Sequence, residues 1–131
     1  MKKRGFTMVE VLVGLLVLGT LSATALPSYV QAVHKGRQVT ANQNARMIAD
    51  AIQSLYVAKG GTSYLAPGID AYKIEAELGG WPLNPCTGGA TVAHYRIVRT
   101  ENQVLVTAKA GKNCREADLA TYRLGQARRK G

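Results

Sequence analysis

The sequence has few of the residues that build metal and redox centres. It contains two cysteines and two histidines. Cys86 and Cys114 do not form a C-x-x-C pair, and His34 and His94 do not have H-x-x-x-H spacing. Zinc sites with sulfur and nitrogen ligands, and thiol-redox centres, depend on such spacings. We therefore expect no metal site and no cofactor in this chain.

Catalytic motifs are also absent from the sequence. It has no G-x-S-x-G, no P-loop and no dinucleotide fingerprint. Glu75 and Glu77 would lie on different faces of a short helix, which does not suit paired acid and base chemistry. The chain has 131 residues, which is enough for one small domain but leaves little room for a large cleft. We therefore predict that the protein is not an enzyme.

Acidic residues are scarce. The chain has 8 acidic and 17 basic residues, a net charge of +9, and such an excess attracts anionic surfaces and nucleic acid. Solubility alone is the alternative interpretation. The tail residues Arg128, Arg129 and Lys130 are candidate contacts for DNA or another anionic surface, or else a solvated tail. Four further arginines extend this candidate surface: Arg96, Arg99, Arg115 and Arg123.

A single long apolar run stands near the N-terminus. Between Phe6 and Leu26 the only ionisable side chain is Glu10. Roughly 20 apolar residues are the length of a helix that crosses a bilayer. A carboxylate at membrane depth costs about 2.5 to 3.5 kcal/mol on insertion scales, so Glu10 needs a functional partner.

The residues around this acid resemble a known signal. A basic leader, Gly5 and then Phe6-Thr7-Met8-Val9-Glu10 are similar to the class III signal of type IV pilins and pseudopilins. The resemblance implies that a prepilin peptidase cleaves after Gly5 and that Phe6 becomes N-methylated. It also implies that the Glu10 carboxylate pairs with the Phe6 amine of a neighbouring subunit.

The same resemblance implies a location and a set of partners. The precursor would cross the cytoplasmic membrane once, contact lipid and an inner-membrane assembly platform, and then polymerise with copies of itself into an extracellular filament. Twitching motility, adhesion and DNA uptake are the roles that this implies, and a pseudopilin of a type II secretion system is the alternative. Without the leader, the chain would keep 14 basic and 8 acidic residues, a net charge of +6.

Two other interpretations of the N-terminus remain open. In an ordinary secretory signal, the basic residues are followed by an apolar core and an A-x-A-like site, here Ala23 to Ala25. The chain would then be a small secreted binding protein. In a plain membrane anchor, the basic residues stay on the cytoplasmic side, but Gly5 and Glu10 have no assigned role.

The apolar pattern predicts one long helix from Phe6 to Lys59. Beyond Pro27 it becomes an amphipathic helix, and Gly60-Gly61 ends it. Pro27 should kink the helix because proline removes an intrahelical hydrogen bond. The pilin resemblance implies that the segment from Gly19 to Leu26 loses helicity in the filament. The apolar stripe consists of Val30, Val33, Ala41, Ala45, Ile48, Ile52 and Leu55.

The remainder predicts an α+β head. Asp70 is expected to cap a helix over 71–78, which Gly79-Gly80 ends. Trp81 is expected to anchor the following loop, W-P-L-N-P-C-T-G-G, which resembles a loop found after the long helix in pilins. Alternating apolar residues predict strands at 91–98, 104–108 and 119–124, with a turn at 111–113.

The two cysteines are expected to form a disulfide. In a small exported domain an even number of cysteines indicates pairing, so Cys86 should meet Cys114 at the edge of the sheet. The predicted fold is a long N-terminal helix packed on an antiparallel sheet of three to four strands. The predicted division is a leader (1–5), a transmembrane and filament-core helix (6–27) and a globular head (28–131). The head comprises the amphipathic half of the long helix (28–59), the αβ-loop (60–90) and the β-sheet with the C-terminal tail (91–131).

Overall fold

The computed structural model describes residues 5–61, 63–64, 70–100 and 102–125. The chain divides into two compact units, Met1–His34 and Lys35–Gly131. Helix α1 runs from Met8–Ala58, so it begins two residues later and ends one residue earlier than predicted. Pro27 lies inside this helix.

The first unit is almost entirely exposed. Of its described residues, only Val33 is half-buried, and the others are exposed. An 18-residue window of α1 has a mean hydropathy of 2.0 and no buried residue. By length and composition, α1 can cross a membrane.

In the second unit, the amphipathic part of α1 supplies one side of the core. Ala41, Ala45, Ile48 and Ile52 follow one another at steps of three or four and are 0 to 1% exposed, because residues at this spacing share one helix face. The helix ends as predicted: Gly60 and Gly61 have positive φ angles. Their N–H groups bond to the carbonyls of Val57 and Tyr56, the Schellman arrangement.

A short helix, α2, spans Ala71–Leu78 and ends at Gly79 in the left-handed conformation. The predicted helix boundaries and the predicted N-cap residue, Asp70, are both confirmed. Asp70 holds the N-cap position without a side-chain capping hydrogen bond, and its carboxylate instead accepts a hydrogen bond from Lys73 Nζ at 2.9 Å. This bond raises the pKa of Lys73.

The sheet has three antiparallel strands in the order of the sequence. They are β1 (Tyr95–Thr100), β2 (Gln103–Ala108) and β3 (Thr121–Leu124). One face of the sheet joins the buried side of α1 in a single core, to which β2 contributes Val104 and Val106 at 0% exposure. The predicted α+β fold, with a long helix and a small antiparallel sheet, is confirmed.

The first predicted strand began too early. Val92–His94 forms a 3-10 turn, and β1 starts only at Tyr95. The His94 carbonyl accepts the N–H of Lys109, but the chain beyond Lys109 turns at Gly111 and gives the earlier residues no partner strand. The third strand is likewise shorter than predicted, because Glu116–Asp118 is a 3-10 turn and Leu119 precedes the strand as a buried core residue.

Candidate assembly site at the helix N-terminus

Gly5 and Phe6 precede the first turn of α1. Neither is in regular secondary structure, and both are exposed. The Phe6 side chain is 88% exposed, and a Cβ added at Gly5 would meet nothing within 4 Å. The peptide bond between them is therefore sterically open in this structure.

Thr7 and Glu10 cap the start of α1 reciprocally. The Glu10 N–H donates to Thr7 Oγ1 at 3.2 Å, and the Thr7 N–H donates to Glu10 Oε2 at 3.3 Å. This is a capping box, in which a threonine and a glutamate three residues later satisfy two N–H groups that a helix start leaves unpaired. The Glu10 carboxylate is thereby bonded to the N–H of Thr7, the residue that directly follows Phe6. It was not foreseen from the sequence, although T-x-x-E before an apolar run is its signal.

Gly19 and Pro27 lie within the continuous helix, in a segment that has weak points of its own. Thr20 Oγ1 donates to the Val17 carbonyl, and Thr24 Oγ1 donates to the Leu21 carbonyl, both at 2.9 Å. Hydroxyls bonded back to the preceding turn compete with the helix's own hydrogen bonds. Pro27 has no N–H to give to that ladder.

The predicted disulfide is present. Cys86 and Cys114 are bonded, with Cα atoms 5.3 Å apart. The bond ties the loop before β1 to the turn after β2. Cys86 is fully buried and Cys114 is half-buried.

A buried asparagine organises the same loop. Asn84 is 0% exposed, and its Nδ2 donates to the carbonyls of His94 and Lys109 at 2.7 and 3.0 Å. Its Oδ1 accepts the N–H of Cys86 at 3.0 Å. Asn84 therefore links the loop to the start of β1 and to the end of β2, a role that the sequence motif did not disclose.

Aromatic rings hold the other end of this loop. Trp81 belongs to the core, and its ring stacks on Tyr95 with centroids 6.3 Å apart. Tyr95 Oη donates to the Pro82 carbonyl at 2.8 Å, and burial raises the pKa of Tyr95 to about 12. The predicted anchoring of the loop by Trp81 is thus observed.

Two sets of residues from the sequence analysis remain, the basic C-terminal tail and the two histidines. Arg128, Arg129 and Lys130 lie outside the described residues. Within the described part of the chain, no group of three or more histidine, cysteine, aspartate or glutamate side chains is arranged to hold a metal ion. His34 lies in the first unit, while His94 lies in the second and places its Nδ1 2.9 Å from Thr87 Oγ1.

Comparison with known proteins identifies the N-terminal segment. Residues 1–26 match the family model described as the prokaryotic N-terminal methylation motif. No curated protein and no solved structure matches the chain significantly. Together with the long apolar helix, this motif fits a membrane-anchored precursor of an extracellular filament. Residues 1–26 therefore carry the prokaryotic N-terminal methylation motif, the class III signal of type IV pilins and pseudopilins.

Proposed function

We propose that this chain is the structural subunit of a type IV pilus-like filament, cleaved after Gly5 by a prepilin peptidase and polymerised through its N-terminal helix. One observation carries the proposal. The methylation motif covers the start of α1, and this helix contains an 18-residue apolar window with no buried residue. Such a surface needs an apolar environment, and lipid before assembly and the filament core after it would both provide one.

Glu10 is proposed to set the stagger between subunits. Cleavage after Gly5 would turn the Phe6 nitrogen into a free ammonium group. Among the described residues, Glu10 Oε1 has no hydrogen-bond partner, whereas Oε2 serves the capping box. One oxygen thus remains to accept a hydrogen bond from the Phe6 ammonium of a neighbouring subunit. A buried ion pair of this kind is best suited to fixing register, since an unpaired charge in the same place costs about 3 to 5 kcal/mol.

The segment from Gly19 to Pro27 is proposed to change conformation during assembly. It is helical in the isolated chain, and the Thr20 and Thr24 hydroxyls and the proline weaken that helix. We expect residues 19–26 to be extended in the filament. A filament density map that shows unbroken helix from Met8 to Ala58 would contradict this.

The mature N-terminus provides the direct test. Surface fibres would be sheared from cells and their subunit analysed by mass spectrometry. We expect a chain that begins with N-methylated Phe6. Gly5→Leu should leave the leader attached and abolish fibres, whereas Gly14→Leu, the same change at another open glycine, should be processed normally.

Other outcomes of this test point to other functions. A processed subunit confined to the periplasm would indicate a pseudopilin of a type II secretion system. A mature chain that begins near Leu26 would indicate a secreted soluble protein with an ordinary signal peptide. If fibres are found, then assays of twitching motility, adhesion and DNA uptake in a deletion strain would separate these roles. The inner-membrane assembly platform is the partner expected in either filament system.

A further inference from the structure

Without the leader, the net positive charge of this protein lies in one part of the chain. Without the leader, residues 6–94 carry five basic and five acidic side chains, a net charge of zero. Residues 95–131 carry nine basic and three acidic side chains, and therefore the whole net charge of +6. This division coincides with the start of the sheet at Tyr95.

Within the sheet, two arginines share the face that turns away from the core. Two neighbouring rows of residues cross the three strands on this face. One row is Arg96, Thr107 and Thr121, and the next is Val98, Leu105 and Arg123. These six residues form what we call the outer sheet face. The three strands contain Arg96, Arg99 and Arg123, all exposed, and no acidic residue.

The two arginines of the outer sheet face are available to a ligand. Arg123 has no hydrogen-bond or ion-pair partner among the described residues. Arg96 Nη1 lies 3.2 Å from Glu116 Oε1, but the two side chains are 62 and 72% exposed. An ion pair that is this exposed contributes little to stability and exchanges easily with another anion.

The surface around Arg96 has the shape and the donors to receive an anion. Arg96 and Thr107 line two adjoining depressions of about 190 and 260 Å³. Thr107 Oγ1 donates to Thr121 Oγ1 at 2.9 Å, which leaves the Thr121 proton free for an external acceptor. Lys109 also lines the larger depression and is exposed.

We propose that the outer sheet face binds the phosphate backbone of double-stranded DNA without sequence preference. Strand spacing places the Cα atoms of Arg96 and Arg123 roughly 12 Å apart. A duplex presents a phosphate charge about every 1.7 Å along its axis, so the two arginines can contact two different phosphates. Arginine donates two parallel hydrogen bonds to one phosphate. This inference rests on the proposed filament function, of which DNA uptake is one candidate role, but DNA binding by the single chain does not require polymerisation.

The composition of the outer sheet face favours duplex DNA over two other anionic partners. Single-stranded nucleic acid is held by bases stacked on aromatic rings, and none of the six residues is aromatic. A lipid surface is bound by burying a broad apolar face. Here only Val98 and Leu105 are apolar, and Leu105 is half-buried.

The test measures DNA binding by the full chain in nonionic detergent micelles. Fluorescence anisotropy with a short labelled duplex would be recorded across a range of salt concentrations. We expect Arg96→Gln/Arg123→Gln to weaken binding several-fold and to lower the slope of log K against log salt by about 2, one for each lost phosphate contact. Lys35→Gln/Arg46→Gln removes the same charge from two exposed residues of α1 and should change neither quantity.

Glu116→Gln provides the test of opposite sign. It should strengthen binding, because it removes a negative charge and releases Arg96. Unchanged near-ultraviolet circular dichroism of Trp81 would show that each variant is folded. Any one of four results would overturn the proposal. These are an equal loss of DNA affinity in the two double variants, an unchanged affinity in Glu116→Gln, tighter binding of single-stranded than of duplex DNA, and binding of an acidic polysaccharide but not of DNA.

Discussion

Thr7 and Glu10 hold each other's backbone N–H groups at 3.2 and 3.3 Å, and this capping box begins the apolar helix. The same carboxylate therefore has two separable tasks. Its hydrogen-bond acceptance stabilises the helix start, and its charge is proposed to pair with a neighbouring Phe6 amine. Glutamine retains the first property and lacks the second, since a glutamine at this position also completes a capping box.

The first prediction uses this difference. Glu10→Gln should be inserted and cleaved normally and keep its helix, yet yield far fewer fibres, because an unpaired ammonium in the filament core costs about 3 to 5 kcal/mol. Fibre yield by electron microscopy and N-terminal mass spectrometry would be measured together. Thr7→Ala is the matched control: it loses the cap, worth about 1 kcal/mol, but keeps the charge and should still form fibres. Normal fibre yield from Glu10→Gln would refute the register role.

The second prediction concerns Asn84. Asn84→Ala would leave the Lys109 carbonyl and the Cys86 N–H without their partner, while the His94 carbonyl keeps its bond from the Lys109 N–H. At about 1 to 3 kcal/mol for each of these two unsatisfied groups, we expect a loss of roughly 2 to 6 kcal/mol in the free energy of unfolding.

Denaturant unfolding of the full chain in micelles, followed by Trp81 fluorescence, would measure this loss. Asn113→Ala is the control, because Asn113 is exposed and should change stability by less than about 0.5 kcal/mol. Asn84→Asp should be at least as damaging as Asn84→Ala, because its carboxylate would face two carbonyl oxygens. Equal stability of the Asn84 and Asn113 variants would mean that the loop holds its position without the asparagine.

The elements that the sequence predicts well are those whose signals are local. The end of α1 at Gly60 and of α2 at Gly79 follows from glycines that adopt positive φ, a choice that depends on a few neighbouring residues. The β1–β2 hairpin follows from alternation and a short polar connection. The buried stripe from Ala41 to Ile52 follows from helical spacing.

The errors arose where distant residues decide. Val92 to His94 alternates like a strand, but the chain that would pair with it turns at Gly111 towards the disulfide. A Cβ at Gly111 would come too close to the Cys86 carbonyl oxygen, so this turn is closely packed. Asp70 holds the predicted N-cap position, but its side chain bonds to Lys73 on the first turn of the helix and makes no capping hydrogen bond. The two carbonyl groups that Asn84 Nδ2 binds lie 10 and 25 residues further along the chain, separations at which no local pattern operates.

The third prediction concerns the disulfide. Cys86 and Cys114 close a loop with a sequence separation of 28 residues, which in the chain-entropy treatment stabilises the fold by about 3 to 4 kcal/mol. Cys86→Ala/Cys114→Ala should lose roughly that amount in denaturant unfolding. Reduction of the unaltered protein is the control for side-chain packing, because it breaks the bond and keeps both sulfur atoms. A reductant should have no further effect on the double variant, and an unaltered midpoint on reduction would contradict the prediction.

The fourth prediction follows from the pKa of Tyr95, which burial raises from 10.0 to about 12. The neutral phenol donates to the Pro82 carbonyl at 2.8 Å, whereas a phenolate would lose that bond and face the carbonyl with its own charge. Because the folded state holds the proton more tightly than the unfolded state, the stability gained is fully present below pH 10 and is lost as the pH rises towards 12.

Two pH units correspond to about 2.7 kcal/mol at most, and solvent screening reduces the expected loss to about 1 to 2 kcal/mol. Unfolding free energies measured from pH 9 to pH 12 would reveal it. The pKa of Tyr64 is also raised, by burial and by Tyr56, so the stability of the full chain should fall more steeply with pH than Tyr95 alone would cause.

Tyr95→Phe isolates the contribution of the Tyr95 hydroxyl. The variant should be less stable at neutral pH because the Pro82 carbonyl loses its donor, yet its stability should fall less between pH 10 and 12. If the two proteins lost stability in parallel over that range, then the Tyr95 hydroxyl would not be the group whose proton is retained on folding.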